Sequence, residues 1–194
     1  MYEIPISVKI DNHEYGIRNN GDYRVILDCF SALQDVDLTE QERVFASLII
    51  FYQDLNCIDD ILLPNNLKDR ILEMYKFFNC GEEDTVGKKV PYKLIDWEQD
   101  SQLISSAINK VANTEIRSVP YIHWWTFMGH FSAIGRSLLS TVIDIREKML
   151  KGKKLEKYER EFRRDNPKYF IWNHKTVEEQ EAEKVISELW NKGD

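Results

Sequence analysis

Cysteine is scarce in this 194-residue chain: Cys29, Cys57 and Cys80 lie 28 and 23 residues apart, with no CxxC and no histidine completing a zinc pattern. Such scatter argues against a disulfide framework or zinc finger and fits reduced, buried thiols of a cytosolic protein. Long apolar runs are missing as well. The longest, Leu48 to Tyr52, falls far short of the ~18 residues a membrane span needs. The Met-Tyr-Glu-Ile-Pro start carries no basic stretch followed by an apolar core, so no signal peptide is expected. Positive charge is also in deficit, with 26 Lys/Arg against 33 Asp/Glu and a formal charge of -7. That balance argues against a general duplex-DNA binder, whose affinity comes from a basic face neutralising phosphates.

Catalytic signatures are equally thin. There is no GxGxxG, no GxxxxGK[ST] and no GxSxG. Asp35-Val36-Asp37-Leu38-Thr39 imitates the DxDxT of aspartate-nucleophile phosphatases, but the residues before it read as helix rather than strand. Thr39 is better explained as a helix cap. His123 and His130 stand seven apart, near two helical turns, where helical metal sites favour an i, i+4 pair with a carboxylate. Asp59-Asp60 reads as a surface or cap pair. The reading is therefore a non-catalytic protein without cofactor or metal.

What is present is ordinary globular material, 43% hydrophobic and 30% charged. At this length folding buries roughly 70% of the surface the unfolded chain exposes, enough for a real core. Ile4, Ile6, Val8 and Ile10 alternate with Pro5, Ser7 and Lys9, predicting a strand that pairs back through Asp11-Asn12 as a hairpin over about 4–18. The rest reads as helix. Asp22 caps a first helix to about Leu33, and Thr39 with Glu42 forms a capping box for a second to about Leu55. Pro64 opens a third to Phe78, with Leu67, Ile71, Met74, Tyr75 and Phe78 inward, and Cys80-Gly81 stops it. Asp96 or Asp100 caps the next, to about Asn113, and Pro120 opens one holding Tyr121, Trp124, Trp125, Met128 and Phe131. A helix over about 136–151 follows, with Leu138, Val142, Ile145 and Met149 inward; a thinner stripe then runs to Pro167. Thr176 with Glu179 forms a second capping box, before Val185, Ile186, Leu189 and Trp190. The expected fold is mainly α: a multi-helix bundle of about seven or eight helices behind a short N-terminal β-hairpin. Residues 1–170 form one helical domain and 171–194 a C-terminal helical arm.

Two features depart from the average. From Arg146 to Lys168 there are ten Lys/Arg and five Asp/Glu, which reads as a solvated face with Glu156–Arg160 and Glu159–Arg163 pairs, or as a basic ridge that docks an acidic protein or RNA. Trp124 and Trp125 point about 100° apart on one helix, so either that helix is central or one indole lies in an interface.

The elements HWWTFM at 123–128, VIDIR at 142–146, KGKKLEKYEREFRRDNP at 151–167 and the block over 22–52 together resemble the phage gene-product-fifteen family. The likeness spans about residues 20–170. It implies a tail assembly chaperone of Gram-positive siphophages and prophages, encoded between tail tube and tape measure. Such a protein acts in the bacterial host's cytoplasm, binds the tape measure protein and recruits tail-tube subunits, and carries no catalytic residues. On that reading Trp124, Trp125, Met128 and Phe131 border a groove for client helices, while Arg146, Lys153 and Lys154 steer acidic segments. Self-association stays open and no membrane is involved. The alternative is a nucleic-acid-associated phage protein using the basic segment 146–168.

Overall fold

The computed structural model describes residues 3–62, 66–82 and 94–172. The expected helix start at Pro64, most of the loop over 81–91, and the arm beyond Trp172 lie outside the described residues.

Strand β1 (Ser7–Ile10) pairs antiparallel with β2 (His13–Gly16), in register from Ser7 opposite Gly16 to Ile10 opposite His13. The connecting Asp11 and Asn12 both take left-handed backbone angles (φ 48° and 65°), the geometry that matches a two-residue turn to strand twist. The hairpin is shorter than the alternation predicts. Val8 and Ile10 are buried, but Ile4 and Ile6 precede the ladder and stand 47% and 52% exposed. Pro5 between them has no N–H to give a strand.

Helix α1 (Tyr23–Gln34) starts at Asp22, whose Oδ1 accepts the Arg24 N–H at 3.0 Å. Helix α2 (Glu40–Phe51) starts at the predicted capping box, Glu42 Oε2 accepting from the Thr39 N–H at 2.8 Å. The two pack side by side. The hairpin is tied to the end of α2 by the Ile17–Tyr52 bridge and by Arg18, which donates to the carbonyls of Ile49, Ile50, Tyr52 and Leu55. Those of Ile49 and Ile50 are carbonyls that the helix end leaves without helical partners.

A short α3 (Ile58–Leu62) precedes α4 (Leu67–Phe78). The buried face of α4 is Arg70, Met74, Phe77 and Phe78; Tyr75 faces outward, and Leu67 and Ile71 are only half-buried. Cys80 and Gly81, both at positive φ, end it as predicted. Helix α5 (Ser101–Ala112) buries Leu103, Ile104, Ala107 and Ile108, and left-handed Asn113 follows it.

Helix α6 (Trp124–Ser132) starts later than Pro120 suggests. The true cap is His123, whose ring accepts the Trp125 N–H at 3.0 Å. Helix α7 (Leu138–Leu150) is capped by reciprocal Ser137–Ser140 hydrogen bonds. Its inward residues are Leu139, Val142, Ile145 and Arg146; Leu138, expected inside, is exposed. Helix α8 (Lys157–Asp165) ends the series. Among the described residues the fold is thus mainly α, seven longer helices and the five-residue α3 behind a two-stranded hairpin, sharing one hydrophobic cluster.

Candidate protein-binding site

Helix α6 lies against α1 and α5, and both its indoles turn toward the end of α4. Trp124 Nε1–H donates to the Phe78 carbonyl at 2.9 Å and Trp125 Nε1–H to the Phe77 carbonyl at 3.0 Å. Trp124 is 1% exposed and surrounded by Phe30, Trp97 and Phe127 rings, so it is core and presents nothing to a client. Trp125 is half-buried, tilted against Phe77 and next to Gly81, where an added Cβ would sit 3.0 Å from its ring. Met128 and Phe131 are half-buried against the same cluster, Phe131 with its ring 5.4 Å from Trp97. Of the four residues expected to border a groove, Trp124 is thus committed inside, while Trp125, Met128 and Phe131 keep part of their surface open.

Among the described residues, an open apolar surface lies beside the start of α6. A cleft of about 350 Å³ is walled by Ile4 and Ile6 on one side and by Ala112, Val119, Tyr121 and Ile122 on the other. Thr126 and His130 of α6 border it. Asp22 fixes the far wall: its Oδ2 accepts the Ile122 N–H at 3.0 Å, and the Tyr23 N–H donates to the Ile122 carbonyl at 2.9 Å. Arg24 adds a 2.7 Å hydrogen bond to the Val119 carbonyl, and the Tyr121 hydroxyl reaches the Asn20 carbonyl at 2.9 Å. The near wall is held by His123, whose Nε2–H donates to the Pro5 carbonyl at 3.0 Å while Nδ1 accepts from Trp125. One neutral tautomer serves both bonds. Burial lowers the His123 pKa, more strongly than the Pro5 hydrogen bond and the Asp22 charge raise it.

The sequence pattern missed Ile4, Ile6 and Tyr121 as exposed apolar residues. Pro5 was the available signal for the first two; Tyr121 had none, because it depended on where the helix begins.

Arg146, expected to steer acidic partners, is an internal tie. It is 3% exposed and meets Asp100 twice, at 2.6 and 2.9 Å. It also donates to the carbonyls of Leu94 and Tyr169, and the Trp172 ring lies 4.2 Å from its guanidinium carbon. Lys153 and Lys154 are exposed in the loop after α7. The predicted Glu156–Arg160 and Glu159–Arg163 pairs give way to others. Buried Glu159 takes Lys148 at 2.5 Å and the Glu156 N–H at 2.7 Å, and Arg160 donates to the Leu155 carbonyl.

Asp35, Thr39 and Cys29 have structural work. Asp35 caps the end of α1 and accepts the Asp37 N–H at 2.9 Å, while Thr39 caps α2. Burial pushes the Cys29 thiol up to about 12, far from thiolate reactivity. Among the described residues no group of three or more His, Cys, Asp or Glu is placed to hold a metal ion, and no helix is long and apolar enough to cross a membrane.

Compared with known proteins, the chain matches the family described as Bacteriophage Gp15 protein over residues 1–170. No curated protein and no solved structure matches it. Because that match takes in α1 to α8 and the hairpin alike, the chain belongs to the bacteriophage Gp15 family and is a phage protein.

Proposed function

We propose that this protein is a non-catalytic chaperone of phage tail assembly, which covers apolar segments of the tape measure protein and helps bring tail-tube subunits to it. Membership of the Gp15 family supports the phage setting. The observation that carries the rest is the exposed apolar cleft beside α6, with Ile4, Ile6 and Tyr121 all near half exposed. A tape measure is a long helical client, and an amphipathic helix docks by laying its apolar stripe into such a groove. Soluble proteins rarely leave contiguous apolar surface open without a partner. The client surface is then this cleft, bordered on α6 by Thr126 and His130. Trp125→Ala is a poor probe, because that indole braces the end of α4 and its loss would weaken the fold itself.

The test is to express the neighbouring long coiled-coil-rich gene product with and without this chain. Recovery of a soluble complex only on co-expression is expected. A client equally soluble alone, or one that ignores the chain, would remove the proposal. A salt titration of the complex separates the nucleic-acid reading, since phosphate contacts make affinity fall steeply with salt whereas apolar docking does not.

A further inference from the structure

Two corners of the molecule carry opposite charge. Residues 151–164, the loop after α7 and nearly all of α8, hold seven Lys/Arg and three Glu. Glu159 among those acids is buried and committed to Lys148. Lys153, Lys154, Lys157 and Arg163 are exposed, and no described carboxylate lies within ion-pair distance of them. Tyr158 stands among these cations, 64% exposed. The end of α1, the loop after it and the start of α2 are the reverse. Residues 28–42 hold five Asp/Glu and no Lys or Arg. Asp28, Asp35, Asp37, Glu40 and Glu42 are all exposed, and no described cation pairs with any of them. The two corners are not joined within one chain, since no ion pair among the described residues runs between them.

At physiological ionic strength the screening length is about 8 Å, so two copies feel little of each other's net charge until their surfaces nearly touch. The charges at the point of contact then decide whether they hold together. Size and pattern favour the acidic loop as the occupant of the basic corner. At ~1.5 Å per residue α8 is only about 14 Å long, so a nucleic-acid strand would run past it onto a protein that is otherwise acidic. The loop over residues 35–39 is short enough to sit there whole. Its Asp-Val-Asp-Leu order sets apolar side chains between carboxylates, and Val36 and Leu38 are only half-buried. The basic corner has the matching order, with an open aromatic ring between lysines.

We propose that copies of this chain dock on one another through these corners, the loop at 35–39 of one copy against Lys153, Lys154, Lys157 and Tyr158 of the next. Opposite charge steers and registers the contact, and Tyr158 with Val36 and Leu38 supplies its apolar part. No residue of either corner lines the cleft beside α6, so associated copies each keep that cleft. The inference therefore stands whatever the cleft takes.

Sedimentation velocity on the full chain tests it. Assembly beyond the monomer is expected to grow with protein concentration in 0.1 M salt. Its affinity should fall at least about tenfold in 1 M salt, as the screening length shrinks from ~10 to ~3 Å. Two variants separate the corners: Lys153→Gln/Lys154→Gln/Lys157→Gln removes the cations, and Asp37→Asn/Glu40→Gln removes carboxylates. Each alone should sediment as a monomer while keeping the wild-type helical circular-dichroism spectrum. Mixed together they should form 1:1 dimers and go no further, because each brings one intact corner. A wild-type chain that stays monomeric, an assembly indifferent to salt or to either variant, or a mixture that remains monomeric would each overturn the proposal. So would a basic corner that binds a single-stranded oligonucleotide but no second copy.

Discussion

Arg146 and Asp100 make two hydrogen bonds 46 residues apart in sequence, both side chains almost wholly out of water. Removing one partner of such a pair leaves a charge buried and unpaired, so Arg146→Ala should cost about 3–5 kcal/mol, read as a lower urea midpoint. Arg146→Lys should recover little, because one ammonium cannot reach Asp100 and the carbonyls of Leu94 and Tyr169 together. His123 sets a second residue-scale effect. Its folded pKa lies below the usual 6.5, so the fold selects the neutral ring, whereas the unfolded chain takes up a proton as pH falls through about 6.5. The stability His123 contributes is therefore complete above that pH and is lost below it, down to the folded pKa, at no more than ~1.4 kcal/mol per pH unit. Thermal melts between pH 7 and 5 should show this slope. His123→Asn, which keeps a capping oxygen for Trp125, should flatten it.

At the scale of elements, the helix ends show what the sequence could and could not convey. The caps at Asp22, at Thr39–Glu42 and at Cys80-Gly81 were legible because each lies within four residues of the backbone it satisfies. Thr39→Ala should accordingly cost about 0.5–2 kcal/mol, measured by denaturant melting. The start of α6 was not legible: His123 becomes a cap only because the distant Pro5 carbonyl holds its other nitrogen. For the same reason Arg146 read as a surface cation, its partner lying on α5. The stripes of α4 and α7 came out rotated where a polar group is drawn inside, Arg70 toward Asp54 and the Tyr15 ring, Arg146 toward Asp100. Periodicity counts only apolar residues and cannot see such a pair. The turn before α1 offers a sharper test. Gly21 sits at φ +75°, and a Cβ added there would lie 2.8 Å from the Phe77 ring and 3.0 Å from the His123 ring. Gly21→Ala should destabilise by more than the ~1 kcal/mol usual for a left-handed site and separate the hairpin from α6, visible as faster amide exchange in residues 3–10.

Across the whole molecule, one cluster links the hairpin, α1, α2 and α4 to α6, and the indoles that looked like client anchors are what close it. Fold class, element order and family were readable from the sequence, since helical periodicity and local motifs carry them. The cleft proposed to take a client was not. It depends on which side of α6 the rest of the protein occupies, and that is decided by contacts such as Trp124 with Phe78 and His123 with Pro5. The account rests on the cleft between Ile4, Ile6 and Tyr121 shielding a client helix. The most direct measurement is co-expression of the client with Ile6→Asp, a change at an exposed site expected to move stability by no more than about 0.5 kcal/mol. Wild-type Tm with the client driven into the insoluble fraction is the predicted result. A variant with unaltered Tm that still holds the client in solution would contradict it.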